Sequence, residues 1–185
     1  MSALKAGDSF PEGVAFAWIP PSKETSEFSQ CGIPIKYDAS AEFKNKKVVI
    51  ISLPGAFTPT CSARHVPGFK ENKDKLVEKG VDQVIVLAHN DAYVMSGWGK
   101  ANGVDDEFIV FASDSDLKFA KSLGWTVNNG ERSDRWAIVV DHGKVTYAAK
   151  EEELQSLDFS GFDASTSTCK KEIQSRDIEI RSAVE

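Results

Sequence analysis

The sequence predicts an α/β protein with a central sheet covered by helices on both faces. Three apolar runs carry that expectation: Val48-Val49-Ile50-Ile51-Ser52-Leu53, Val84-Ile85-Val86-Leu87 and Trp136-Ala137-Ile138-Val139-Val140. Near-continuous β-branched segments of this kind mark strands buried on both sides. Helical stretches separate the early runs, and the chain closes on a hairpin, so strands and helices alternate around one sheet.

Taken in order, Val14 to Ile19 reads as a first strand, stopped by Pro20-Pro21. Residues 22–30 are polar and turn-rich and lead to Cys31 in a loop. Lys47 to Leu53 is the first buried strand. A helix is expected from Ser62 to Lys79, ending at Gly80. Val81 to His89 is the next strand, after which Asp91 suits the N-cap of a helix running to Ala101. Phe108 to Ala112 is a third strand, and Ser115 or Asp116 should start a short helix ending at Gly124. Trp136 to Val140, the turn Asp141-His142-Gly143-Lys144 and Val145 to Ala149 form the closing hairpin. Beyond it, Glu151-Glu152-Glu153 reads as a solvated charge cluster, and Cys169 to Val184 as a final helix without a clean apolar stripe. The chain is expected to be a single domain over residues 1–185, with 150–185 its least regular part.

With 41% hydrophobic and 27% charged residues, the 185-residue chain has an ordinary globular composition. A formal charge of −6 argues against a nucleic-acid partner and against an anionic membrane surface. No apolar run approaches the roughly 20 residues that span a bilayer. The N-terminus lacks a secretory or mitochondrial pattern, and the last residues do not spell the Ser-Lys-Leu peroxisomal address, so the expected compartment is cytoplasmic. Cys31, Cys61 and Cys169 are too few and too scattered for a disulfide framework. His65, His89 and His142 show no zinc-ligand spacing, and neither a metal nor a cofactor is expected.

The chemistry concentrates at Cys61, between a buried strand and a helix start. There the helix dipole and free backbone N–H groups favour a thiolate, the attacking form of the thiol. Pro54, Thr58 and Cys61, in Pro54-Gly55-Ala56-Phe57-Thr58-Pro59-Thr60-Cys61-Ser62-Ala63-Arg64-His65-Val66-Pro67-Gly68-Phe69, match the Pro-x-x-x-Thr-x-x-Cys signature of peroxiredoxins. The longer stretch resembles the branch that holds mammalian peroxiredoxin-5 and the fungal alkyl hydroperoxide reductases. The resemblance runs from about Gly7 to about Ala149, and includes Asn90-Asp91-Ala92-Tyr93-Val94-Met95-Ser96-Gly97-Trp98. It implies a thioredoxin-like fold with a mixed central sheet.

The resemblance also implies a thiol-specific peroxidase that reduces hydrogen peroxide and alkyl hydroperoxides through a sulfenic acid and a disulfide, with thioredoxin as reductant. A peroxide sensor or redox relay would use the same thiolate and is the alternative. By the same resemblance, Thr58 places its hydroxyl on the thiolate and the peroxide, Pro54 shields the pocket, and the Cys61 N–H donates to substrate. The family sets an arginine beside the nucleophile at the start of a late strand. Arg135, directly before Trp136, holds that place, and Arg132 is read as a surface residue of the preceding loop. Its fixed charge favours a thiolate, and its planar donor fork suits charge developing on the leaving oxygen. His65 is assigned a supporting role, and Phe57 the pocket wall or a dimer contact.

For the second thiol, the mammalian type points to a C-terminal cysteine and the fungal type to an N-terminal loop cysteine about 30 residues before the nucleophile. Cys31 has the fungal spacing, 61 − 31 = 30. It is expected to resolve Cys61 of the partner subunit in a homodimer, after local unwinding around Cys61, leaving Cys169 as a free thiol.

Overall fold

The computed structural model describes residues 3–169. Strands β1 (Phe16–Trp18), β2 (Ile35–Tyr37), β3 (Lys47–Ser52), β4 (Gln83–Ala88), β5 (Ile109–Ser113), β8 (Trp136–Asp141) and β9 (Lys144–Lys150) make one sheet in the order β2-β1-β5-β4-β3-β8-β9. Two further short strands, β6 (Thr126–Val127) and β7 (Arg132–Ser133), pair separately. β3, β4 and β5 run parallel, while β8 pairs antiparallel with both β3 and β9. The sheet is therefore mixed, in a thioredoxin-like arrangement.

Alternation along the strands builds a separate core on each face. Val48, Ile50, Ile85, Leu87, Trp136, Ile138 and Val140 point to one side, where Phe43 and Phe119 complete the packing. Val49, Ile51, Val84, Val86, Ala137 and Val139 point to the other, together with Cys61, Phe69, Met95 and Trp98. Every residue of β3, β4 and β5 is buried.

The helices are α1 (Ala39–Glu42), α2 (Val66–Lys70), α3 (Lys73–Glu78), α4 (Ala92–Ala101), α5 (Lys118–Leu123) and α6 (Phe162–Ser165). α4 starts where its sequence says, because the Asp91 carboxylate accepts from Tyr93 N and Val94 N at 2.9 and 3.0 Å. α5 ends at Gly124, whose φ of 71° suits a residue without Cβ.

Three expectations are corrected. The single helix 62–79 is divided: a π-helical turn at Cys61–His65 leads into α2, and α3 begins only at Lys73. Pro67 has no N–H to close an ordinary α-turn, and Asn72 turns its side-chain amide onto Gly68 O at 2.8 Å, competing with the backbone. The helix ending at Gly124 opens at Ser115 only as a 3-10 turn and becomes α-helical at Lys118, where the Asp114 carboxylate accepts from Phe119 N and Ala120 N at 2.9 Å each. Glu151 is not a solvated charge but is 1% exposed. The expected helix from Cys169 to Val184 lies outside the described residues, save Cys169 itself.

Candidate active site

Cys61 and Arg135 are brought together by the β3–β8 pairing. Ser52 at the end of β3 stands opposite Trp136 at the start of β8, and the Ser52 and Ser133 hydroxyls share a hydrogen bond at 2.7 Å. Arg135 precedes Trp136 and so continues the side of Ala137 and Val139, the side where Cys61 lies. The connection from β3 is held by Leu53 N to Leu87 O at 2.9 Å and by Ala56 N to Asn90 Oδ1 at 2.8 Å. Asn90 thus braces the Pro54–Thr58 loop from the end of β4, a role its place in the sequence did not reveal.

Arg135 is 2% exposed, and its guanidinium donates in three directions: Nη2 to Cys61 Sγ at 3.2 Å, Nη1 to His65 Nδ1 at 2.9 Å and Nε to Leu154 O at 2.7 Å. A guanidinium only donates, so His65 Nδ1 must accept. The proton then sits on Nε2, which donates to Ser160 O at 2.9 Å. Burial drives the His65 pKa from the ordinary 6.5 down to about 3; the Ser160 hydrogen bond opposes the shift and Arg135 adds to it. The imidazole beside Cys61 is neutral, so the positive charge at the sulfur is that of Arg135.

Thr58 donates its hydroxyl to Gly55 O at 3.0 Å. Pro54, Thr58, Thr60, Arg132, Arg135 and Leu154 all border a cleft of about 340 Å³. Cys61 is fully buried and does not border it. Arg132 therefore faces the cleft rather than the outer loop surface alone. Phe57 is half exposed, takes a left-handed φ of 59°, and tilts its ring towards Trp98 at 6.1 Å.

The three cysteines are free. Cys31 is exposed in a loop tethered to α4, where Lys100 Nζ donates to Glu27 O at 3.1 Å and Gln30 O at 2.5 Å. The structure thus sets Arg135 on Cys61 and places Pro54 and Thr58 with Arg135 along the adjoining cleft; the Thr58 hydroxyl, expected on the thiol, is turned to Gly55 O instead. Cys169 is buried, and burial pushes its thiol pKa up.

Sequence reasoning missed the outer support of this site. Leu154 and Ser160 supply the carbonyls that hold Arg135 and His65, and Glu151 gathers the loop between β9 and α6. The sequence carried little signal for it, because Glu151 opens a run of three glutamates.

Residues 5–173 match the redoxin family. The chain is 58% identical over 161 residues to peroxiredoxin Pen c 3 of Penicillium citrinum, covering 87% of this chain and 96% of that one. The chain belongs to the peroxiredoxins. This peroxiredoxin is also 49% identical over 164 residues to peroxiredoxin AHP1 of Chaetomium thermophilum, covering 89% and 94% of the two chains. Its fold resembles reduced Prx3 of Vibrio vulnificus, solved with hydrogen peroxide, at a TM-score of 0.75 and 33% identity over 90% of this chain and 99% of that one. These likenesses place it in the fungal alkyl hydroperoxide reductase and peroxiredoxin-5 branch, among peroxidases. No helix among the described residues is long and apolar enough to cross a membrane.

Proposed function

We propose that this peroxiredoxin reduces hydrogen peroxide and alkyl hydroperoxides at Cys61 and is recycled by thioredoxin in the cytoplasm. The observation that carries the reading is the Arg135 Nη2–Cys61 Sγ contact of 3.2 Å inside a buried site. A donor fixed on the sulfur favours the ionised form, and its neighbours in the fork are held by two further acceptors. The thiolate attacks one peroxide oxygen, the O–O bond breaks, and the other oxygen leaves as hydroxide or alkoxide and takes a proton. Arg135 and Thr58 border the approach; Arg135 stabilises that leaving charge, Thr58 joins it once its hydroxyl turns from Gly55 O, and Pro54 keeps water away.

Cys61 is then a sulfenic acid. Attack by a thiol of Cys31 from the partner subunit of a homodimer forms the disulfide and releases water, and the thioredoxin dithiol reopens it by exchange. Exposure favours Cys31 for this step, whereas the raised pKa of the buried Cys169 leaves little thiolate there. NADPH oxidation coupled through thioredoxin reductase and thioredoxin tests the reading. Turnover is expected with hydrogen peroxide and with an alkyl hydroperoxide, and none in Cys61→Ser. Undiminished turnover in Cys61→Ser would overturn it.

A further inference from the structure

Glu151 is the first residue after β9, and it is the most heavily hydrogen-bonded carboxylate near the site. Its Oε1 accepts from Phe159 N at 2.9 Å, Ser160 N at 2.6 Å and Ser160 Oγ at 2.7 Å. Its Oε2 accepts from Ser156 Oγ at 2.7 Å and Asp158 N at 3.2 Å. Among the described residues no cation lies within ion-pair distance of it. Burial raises the pKa of this acid, yet the hydrogen bonds from Ser156, Ser160 and Phe159 outweigh it and keep the group ionised. Residues 151–160 are therefore wound around one buried negative charge.

That loop reaches the site at two points. Leu154 O accepts from Arg135 Nε, and Ser160 O accepts from His65 Nε2. Ser160 is fully buried, and it gives its N–H and hydroxyl to Glu151 while its carbonyl faces His65. The backbone of Glu151 also donates to Arg135 O at 2.9 Å. We propose that Glu151 is a positioning residue which, through Leu154 O and Ser160 O, fixes the direction of the Arg135 guanidinium at Cys61. The proposal deepens the reading of Arg135 as the activating cation of Cys61 and rests on it.

Glutamine has the same shape but cannot replace this acid. An NH2 on the Oε1 side would meet the N–H groups of Phe159 and Ser160, and one on the Oε2 side would meet that of Asp158, so a backbone donor is left unmatched even where the Ser156 hydroxyl turns to accept. The loop must loosen, and the two carbonyls with it.

The test uses the full chain with Cys31→Ser and Cys169→Ser, so that Cys61 is the lone thiol. The thiolate fraction is read by ultraviolet absorbance across pH, alongside the rate of single oxidation by hydrogen peroxide, for Glu151→Gln, Ser160→Ala and Arg135→Met. Glu151→Gln is expected to lose between about 10- and 100-fold in oxidation rate, with a smaller thiolate fraction at neutral pH. Ser160→Ala keeps the carbonyl and removes one donor to Glu151, so it should move both readouts in the same direction by less. A merely structural Glu151 would lower stability and leave the thiolate fraction of the folded protein alone, which overturns the proposal. If Glu151→Gln does not fold, an unchanged thiolate fraction in Ser160→Ala overturns it instead. If Arg135→Met shifts the thiolate and the other two variants do not, only the positioning role fails. If Arg135→Met leaves it unchanged, the reading of Arg135 fails and the proposal falls with it.

Discussion

Arg135 Nη1 donates to His65 Nδ1 at 2.9 Å, and this one bond sets the protonation state of the histidine that shares the guanidinium with Cys61. Because the guanidinium occupies Nδ1, the ring proton stays on Nε2 against Ser160 O. An imidazolium there would put two cations face to face in a buried site. Nitrogen-resolved NMR of His65 should show the Nε2–H tautomer persisting into mildly acidic solution, since its pKa lies near 3. Titration of His65 close to the ordinary histidine value would count against this.

The same group ties stability to pH. The folded chain holds His65 near 3, whereas the unfolded chain titrates it near 6.5. Between those values the unfolded state binds the extra proton, so stability is fully present above about 6.5 and is lost as pH falls towards about 3. Glu151, kept below its ordinary value, adds a loss of the same sign in acid. Urea midpoints across pH should show a steep acid limb, and His65→Gln should flatten it; equal limbs in both proteins would refute the linkage.

Arg135→Lys should be nearly as damaging as Arg135→Met. An ammonium keeps the charge but cannot donate in the fixed fork that reaches Leu154 O, His65 Nδ1 and Cys61 Sγ together. The second-order rate with hydrogen peroxide is expected to fall by about 10²–10³, as for loss of one preorganised donor. Stopped-flow fluorescence measures it, and a loss under about threefold for Arg135→Lys would show that charge alone suffices.

Oxidation with a single equivalent of peroxide should yield a Cys31–Cys61 disulfide between two chains, visible as a dimer on a non-reducing gel and as a linked peptide in mass mapping. Cys61 is fully buried, so the π-helical turn at Cys61–His65 has to open before the two Cα atoms come within about 7 Å. Cys31→Ser should permit one oxidation without recycling. A Cys61–Cys169 link within one chain would reverse the assignment.

Ile51→Ala should cost about 2–5 kcal/mol, because Ile51 is fully buried between Val86 and Ala137 in the cluster that carries Cys61. The urea midpoint is expected to drop with an unchanged slope. A cost below about 1 kcal/mol would mean that this face of the sheet is loosely packed.

The order and kind of most elements were legible because their causes are local. Asp91 caps α4 from the position directly before it, bonding the N–H groups two and three residues on, and the β-branched runs of β3 and β4 announce burial on both faces. β1 was read within Val14 to Ile19, but β2 and the pair β6–β7 were not: two- and three-residue strands leave too short a pattern to read, and β2 exposes Ile35 and Lys36. Cys61, Pro54 and Thr58 could be found from their spacing. Glu151 could not, since a run of three glutamates looks solvated until the donors of residues 156–160 fold back on the first of them.

Cys61 and Arg135 are separated by 74 residues, yet the path between their sulfur and nitrogen crosses only the hydrogen bonds joining β3 to β8. The intervening βαβ units are, for this pair, a detour. Extra residues spliced into the turn between α4 and β5, or new chain ends opened there by circular permutation, should leave the thiol and its cation in place. One extra residue between Arg135 and Trp136 would instead turn the guanidinium to the opposite side of the sheet, away from sulfur. Evolutionary lengthening of such proteins therefore has free ground in one region of the chain and almost none in the other.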